Sequence, residues 1–239
     1  KSIPTARWRQ APGCTGPDGR RVDGRYLLLP DGVAAVELAI TSGLPLMRAP
    51  DPLRATTRGL GDVVAAALDA GARELVIAVG GSASTDGGAG ALAALGLRLL
   101  DDGGKPLDDG GGALGSLARV DTGELRAPPP SGVRILTDVT HPLLGADGAA
   151  AVFGPQKGAS AKEIAILEAA LARFATLVGG DPTAPGAGAA GGTAFGLATL
   201  WGARIVPGAP AVADLIGESL VVEIGQREGA SIVVGGTPP

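Results

Sequence analysis

Residues 76–90 read Val-Ile-Ala-Val-Gly-Gly-Ser-Ala-Ser-Thr-Asp-Gly-Gly-Ala-Gly, an apolar run followed by a glycine-rich loop. The apolar run begins one residue earlier, at Leu75, and is rich in β-branched side chains, which predicts a strand buried on both faces. Alanine and leucine dominate residues 89–95, which predicts a helix. A buried strand, a glycine-rich loop and a helix in this order are typical of an α/β protein.

The loop between the predicted strand and helix carries most of the reactive groups of this segment. Its glycines allow positive φ angles and let an anion approach backbone N–H groups: Gly80, Gly81, Gly87 and Gly88. Its polar side chains are three hydroxyls and one carboxylate: Ser82, Ser84, Thr85 and Asp86. Such a loop before a helix can hold a phosphate or a small hydroxy acid, with Asp86 as proton acceptor or metal ligand. Alternatively, the loop binds nothing and Asp86 caps the helix.

Composition narrows the class of protein. The 239 residues are enough for one large or two small domains, and the apolar fraction of 45% with only 3% aromatic residues predicts an aliphatic core. A net charge of −4 without a basic block argues against a nucleic-acid partner. The single cysteine, Cys14, gives neither an intrachain disulfide nor a zinc pattern. No apolar run reaches membrane-spanning length and no signal-peptide pattern is visible, so we expect no membrane partner and a cytoplasmic location.

Periodicity and turn residues predict the remaining elements. Residues 26–29 and 33–38 form a predicted hairpin around a Pro-Asp-Gly turn, whereas residues 1–21 are interpreted as a lead-in. Helices are predicted at residues 60–70 and 160–177, the second behind a capping box at Ser160 and Glu163, and strands at residues 97–100 and 133–137. Residues 126–131 are a predicted linker. A further helix is expected at residues 211–216 and late strands at 220–224 and 231–234. The small residues at 185–192 indicate tight backbone packing or close approach of a ligand.

Further candidate residues lie outside residues 80–88, which we call the central loop. Arg54, Thr56, Thr57 and Arg58 combine guanidinium and hydroxyl groups before a helix, and either bind an anion or simply start that helix. Asp138 follows a predicted strand, so it shares a rim with Asp86 if both strands belong to one parallel sheet. Lys157 lies in a turn, where it either meets a phosphate or stays on the surface.

Two other features have weaker functional interpretations. Asp108 and Asp109 begin a second glycine-rich loop, where they either bind a divalent cation or act as polar turn residues. His141 is the only histidine, and its position in a turn favours an incidental role over catalysis.

The order of these segments resembles the type I glycerate kinases. The resemblance rests on residues 80–90 and, in register with them, on residues 52–61, 110–114, 137–143, 151–159 and 186–192. It implies a two-domain α/β architecture, in which this chain is mostly the central domain with a partial Rossmann-like flanking domain. The corresponding division is residues 1–50 as a partial flanking segment and hairpin, residues 51–217 as the central domain, and residues 218–239 as a remnant of the C-terminal part of the discontinuous domain.

The resemblance implies phosphoryl transfer from ATP to D-glycerate with Mg²⁺, and it leaves a homodimer open. The implied catalytic residues are Asp86 and Asp138, with Asp138 also contacting the metal. The implied substrate-binding residues are Arg54, Thr56, Thr57, Gly80, Gly81, Ser82, Ser84, Thr85, Gly87, Gly88 and Lys157. The Asp-Ser-Phe-Lys, Asp-Gly-Gly-Glu-Gly and Thr-Gly-Glu-Gly motifs of the family are not found. The alternative is therefore a truncated, non-catalytic member that binds a small hydroxy acid or anion.

Overall fold

The structure, a computed structural model, describes residues 7–208. Its elements in chain order are β1 (Arg7–Thr15), β2 (Arg21–Leu28), β3 (Val33–Glu37), α1 (Ala39–Ser42), α2 (Arg58–Asp69), β4 (Glu74–Ala78), α3 (Ala89–Ala94), β5 (Arg98–Leu100), β6 (Arg119–Asp121), β7 (Val133–Leu136), α4 (Ala149–Phe153), α5 (Ala161–Val178), α6 (Ala189–Trp201) and β8 (Arg204–Val206). Short 3₁₀ helices occupy Leu44–Leu46, Gly111–Ser116 and Pro155–Lys157.

A mixed six-stranded sheet runs in the order β1-β2-β3-β4-β7-β8. The strands β1, β2 and β3 pair antiparallel, and β3, β4, β7 and β8 pair parallel. The expectation that the strands before Asp86 and Asp138 belong to one sheet is confirmed, since β4 and β7 are parallel neighbours. Their carboxyl ends therefore lie at the same edge, which is where ligands bind in open parallel sheets. The mixed α/β class is also confirmed.

The core is aliphatic, as the composition predicts, and β4 lies at its centre. Leu75, Val76, Ile77 and Ala78 are each no more than 1% exposed, because β3 and β7 flank the strand and both faces of the sheet are covered there. Two phenylalanines are buried outside the sheet, Phe174 on α5 and Phe195 on α6, and their rings meet edge to face. This rigid centre carries the loop that follows β4.

Several local predictions are confirmed. The predicted hairpin is formed by β2 and β3, although β2 begins at Arg21, before the strand predicted at residues 26–29. The helices α2, α3 and α5 and the strands β4, β5 and β7 overlap their predicted ranges. Ser160 accepts a hydrogen bond from the Glu163 amide while Glu163 accepts one from the Ser160 amide, so the capping box is formed. Residues 126–131 have neither helix nor strand, as a linker should.

One prediction is wrong and others lie outside the described residues. The predicted lead-in contains β1, a nine-residue strand paired with β2, with a register shift between Ala11 and Cys14. That irregularity breaks the alternation of polar and apolar residues from which strands are recognised. The helix and two strands expected beyond residue 210, and the end of the predicted central domain, fall outside the described part. The predicted boundary at residue 50 lies between β3 and β4, which pair directly, and the domain division stays a prediction.

No helix within residues 7–208 is both long enough and apolar enough to cross a membrane.

Candidate functional site

The loop between β4 and α3 lies at the carboxyl edge of the sheet, and most of it is turned inward. Every residue from Ser82 to Gly88 is buried, whereas Gly80 is half-buried and Gly81 is exposed. Gly81, Gly87 and Gly88 have positive φ angles of 70°, 64° and 77°, a backbone region that glycine enters without strain. The amide N–H groups of Gly80 and Gly81 donate no hydrogen bond to any described residue.

Asp86 is the centre of a buried hydrogen-bond network. Its Oδ2 accepts hydrogen bonds from the Thr57 amide at 2.8 Å, the Thr57 hydroxyl at 2.8 Å and the Gly90 amide at 3.2 Å, and its Oδ1 accepts one from the Gly88 amide at 3.1 Å. The carboxylate has no exposed surface. Burial raises the pKa of Asp86, and the bonds from Thr57, Gly90 and Gly88 oppose that rise. Asp86 thus accepts from amides at the start of α3, whose N-cap position is occupied by Gly88.

Thr56 and Thr57, which the sequence places among the anion-binding candidates, are also interior. The Thr57 hydroxyl donates to Asp86 and accepts from the Ala91 amide at 2.9 Å, so it joins the start of α2 to α3. The Thr56 hydroxyl accepts a hydrogen bond from the Arg58 amide at 3.1 Å. Both threonines are no more than 1% exposed.

Lys157 is buried, and the surface interpretation of this lysine is wrong. Its Nζ donates to the Ser84 carbonyl oxygen at 2.5 Å, across the core from the 3₁₀ helix that carries it. Burial lowers the pKa of Lys157 to about 8, and the nearby charge of Asp86 opposes this shift. The Ser82 and Ser84 hydroxyls lie 3.1 Å apart, and the Ser82 hydroxyl also accepts from the Ser84 amide. Within residues 7–208 the Thr85 hydroxyl has no hydrogen-bond partner.

Two other glycine-rich segments press against the central loop. A Cβ on Gly111 would lie 2.0 Å from the Thr85 carbonyl oxygen, and a Cβ on Gly191 would lie 2.1 Å from the Ser84 carbonyl oxygen. The Gly87 amide donates to the Gly191 carbonyl at 3.0 Å. Of the two interpretations of residues 185–192, tight backbone packing is therefore the one that the structure shows. Glycine repetition was the signal in the sequence, but it did not indicate which backbone each glycine meets.

The remaining predicted residues lie at the surface near this edge. Arg54 is exposed, and Asp138 is exposed with its Oδ1 accepting a hydrogen bond from the Gly208 amide at 3.0 Å. The structure records no hydrogen bond between Asp138 and Asp86. His141 bonds to the Asp147 carbonyl and packs edge to face on Phe153, away from the central loop's hydrogen bonds.

Asp109 does not join a metal centre in the described part. Its carboxylate is held by the Arg58 guanidinium. Across residues 7–208 there is no group of three or more histidine, cysteine, aspartate or glutamate side chains that could hold a metal ion.

The fold is that of an α/β protein, and the loop at the carboxyl edge of its sheet is built from glycines, hydroxyls and a buried carboxylate. The model of the glycerate kinase family matches residues 5–234, which is nearly the whole chain. The chain therefore belongs to the glycerate kinase family.

Individual relatives support this membership. The chain is 41% identical to a glycerate kinase of Bacillus subtilis over 218 residues, which cover 87% of this chain and 57% of that protein. It is 41% identical to a glycerate 2-kinase of Escherichia coli over 203 residues, or 81% of this chain and 53% of that protein. A crystal structure described as a glycerate kinase 2 from Salmonella typhimurium matches with a TM-score of 0.83 and 39% identity, covering 88% of this chain and 59% of that one. The chain thus spans about half the length of the relatives it matches.

Proposed function

We propose that the protein phosphorylates D-glycerate with ATP. The observation that carries this proposal is the Ser82–Asp86 segment of a glycerate kinase family member, folded inward at the carboxyl edge of β4 with a buried lysine against it. Phosphoryl transfer depends mainly on positioning and on electrostatic stabilisation of anionic oxygens, and a rigid polar loop beside a cation supplies both.

The site residues have two proposed roles, and whether a residue is exposed or buried decides its role. Arg54 and Gly81 are exposed and Gly80 is half-buried, so we assign the Arg54 guanidinium and the free amides of Gly80 and Gly81 to the carboxylate or phosphate oxygens of the ligands. Lys157 supplies positive charge from beneath the loop, and the unpartnered Thr85 hydroxyl is the remaining donor on the inner side. Ser82, Ser84, Thr56, Thr57, Gly87 and Gly88 shape the loop through their mutual bonds and contacts.

We assign Asp86 to orientation rather than to direct proton acceptance. Its two oxygens already accept four hydrogen bonds, and its carboxylate has no exposed surface. A general base has to come within hydrogen-bond reach of the hydroxyl whose proton it removes. Asp86 therefore acts through Thr57 and through the amides that open α3, by keeping the loop in one shape.

Asp138 suits the role of a magnesium ligand. Magnesium is usually bound through one or two carboxylates together with substrate phosphates and water, so a single exposed carboxylate at the carboxyl end of β7 fits this donor set. When bound, the metal neutralises negative charge on the phosphate oxygens of the nucleotide. Asp138 would hold it on the same edge of the sheet as the central loop. The cytoplasmic location and the homodimer remain predictions.

A coupled assay of ATP consumption with D-glycerate tests the activity, with calorimetric titration of each ligand beside it. We expect turnover that requires both substrates and Mg²⁺, and phosphorylation at C2, as the name of the Escherichia coli relative indicates for that protein. Phosphorus NMR of the product distinguishes the two phosphoglycerates. Binding of glycerate without binding of ATP would instead support the truncated, non-catalytic alternative. Turnover of another hydroxy acid in a substrate panel would redirect the assignment to that acid.

A further inference from the structure

An ion pair between Arg58 and Asp109, which are not among the implied catalytic or substrate-binding residues, links two segments near the central loop. The Arg58 Nε lies 2.6 Å from Asp109 Oδ2, and the Arg58 Nη2 lies 2.7 Å from Asp109 Oδ1. The pair is bidentate, and its two side chains are 33% and 30% exposed. A guanidinium held at two oxygens has a fixed direction as well as a favourable charge interaction. Arg58 begins α2, and Asp109 comes just before the 3₁₀ helix of residues 111–116.

The Arg58 end of this pair is attached to the buried Asp86 network. The Arg58 amide donates to the Thr56 hydroxyl at 3.1 Å. The preceding residue, Thr57, donates both its amide and its hydroxyl to Asp86. A displacement of Arg58 along the chain therefore moves the two donors that hold the Asp86 carboxylate.

The Asp109 end is attached to the other side of the same loop. Gly110 has a φ of 103°, and a Cβ there would lie 2.5 Å from the Arg54 Cα. Gly111 packs against the Thr85 carbonyl oxygen, and the Gly112 amide donates to the Leu53 carbonyl at 2.9 Å. The loop that Asp109 opens thus touches both the backbone of Arg54 and the backbone of Thr85.

We propose that Arg58 and Asp109 are positioning residues that hold Arg54 in place against the central loop. The bidentate pair closes a ring in which residues 54–58, residues 85–86 and residues 109–112 each contact the next. Neither residue needs to touch the substrate, because their effect passes through Arg54 and Thr57. The consequence for catalysis rests on the proposed function, whereas the positioning itself does not.

Amide hydrogen exchange tests the positioning without any assay of activity. In Asp109→Asn we expect exchange in peptides that cover residues 53–57 and 82–91 to become roughly tenfold faster, because a charge-assisted bidentate contact is lost. Peptides from α5 should keep their exchange rates. The control is Asp121→Asn, which removes the longer, more exposed pair that Arg98 forms with Asp121 at 3.5 Å, and it should change exchange in those segments by less than about twofold. Unchanged exchange in Asp109→Asn would overturn the proposal.

A second variant, which keeps the positive charge, is needed if Asp109→Asn destabilises the whole chain. Exchange would then be faster in α5 as well, and Arg58→Lys carries the test, since lysine retains the positive charge but cannot make the bidentate contact. We expect Arg58→Lys to speed exchange in residues 53–57 and 82–91 only. Faster exchange everywhere in Arg58→Lys too would mean that the pair stabilises the fold in general, and the positioning role would be rejected.

Ligand affinity tests the link to substrate. We expect Asp109→Asn to raise the KM or calorimetric Kd for D-glycerate by about tenfold while kcat changes less, as for a lost binding contact. Asp109→Glu, which restores the carboxylate, should recover most of that loss. Faster exchange with an unchanged glycerate affinity would show that the pair orders the loop but does not position Arg54 for the substrate. If the unsubstituted chain fails to bind glycerate, the proposed function fails while the exchange experiment still decides the positioning.

Discussion

The predicted site consists of two regions that differ in burial. The internal network comprises Thr56, Thr57, Ser82, Ser84, Thr85, Asp86 and Lys157, all no more than 8% exposed. The rim comprises Arg54, Gly80, Gly81 and Asp138, which are exposed or half-buried. The same sequence motif therefore supplies side chains that shape the loop and groups that can meet a ligand. Polar residues in a glycine-rich loop therefore do not all face solvent.

The physical consequence of this difference is a division between stability and affinity. A buried polar group that loses its partner pays the full desolvation cost, whereas an exposed group exchanges its partner for water. Substitutions in the internal network should therefore lower the free energy of unfolding. Substitutions in the rim should leave stability nearly unchanged and alter binding.

The largest loss of stability should come from Asp86→Ala, because four hydrogen-bond donors around this carboxylate would lose their acceptor in the interior. We expect the free energy of unfolding to fall by about 4 kcal/mol, measured by urea denaturation. Asp86→Asn should cost less, since one oxygen remains. A loss below about 1 kcal/mol for Asp86→Ala would show that the network does not hold the loop.

Gly111→Ala should follow, because the added Cβ would lie 2.0 Å from the Thr85 carbonyl oxygen and the backbone would have to separate. We expect a loss of about 3 kcal/mol in the free energy of unfolding. Gly115→Ala is the matched control: it lies in the same 3₁₀ helix with no atom within 4 Å of the added Cβ. That control should change stability by less than about 1 kcal/mol. Equal losses in both variants would refute the packing argument.

The sequence predicted the elements with strong local signals. The strand β4 is an apolar run, and α5 has both a capping box and an apolar stripe, so each was predicted from neighbouring residues alone. The strand β1 was missed because its register shift hides the alternation, and β6 because three residues carry too little pattern. An element can be predicted from local sequence when its own residues carry a complete strand or helix pattern.

Which site residues are buried could not be predicted from neighbouring residues alone. The acceptor role of Asp86 depends on Thr57, which is 29 residues away, and the burial of Lys157 depends on Ser84, which is 73 residues away. The pairing of Arg58 with Asp109 likewise joins residues that the sequence separates by 51 positions. The motif indicated which residue types meet at the edge of the sheet. Which of them face the interior is decided by tertiary contacts.

The internal network also predicts how stability depends on pH, through the buried Lys157. Its pKa is lowered from 10.5 to about 8 by burial, so between these values the unfolded chain binds more protons than the folded one. The contribution of Lys157 to stability therefore rises with pH across that window, by about 2 kcal/mol between about pH 7.5 and about pH 10. Lys157→Met should lose this rise in urea denaturation, whereas Lys162→Met, at an exposed position on α5, should keep it.

For the same lysine, we expect activity to change with pH in the direction opposite to stability. If its charge assists phosphoryl transfer, activity should fall as pH rises through about 8, while stability increases. An activity that stays constant from about pH 7 to about pH 9 would restrict Lys157 to its structural bond with the Ser84 carbonyl.

The smallest effect on stability is expected at the rim. Arg54 is exposed and has no side-chain hydrogen bond or ion pair to another described residue, so Arg54→Ala should change the free energy of unfolding by less than about 0.5 kcal/mol. The same substitution should raise the KM or Kd for D-glycerate by about tenfold, because a guanidinium that meets a carboxylate contributes on the order of 1–3 kcal/mol. Arg48→Ala, another exposed arginine six positions earlier, should leave both quantities unchanged. If Arg54→Ala instead lowers the free energy of unfolding and leaves the affinity for D-glycerate unchanged, Arg54 belongs with the internal network. The division between loop-shaping and ligand-binding residues would then fail at the residue for which it predicts the clearest separation of the two effects.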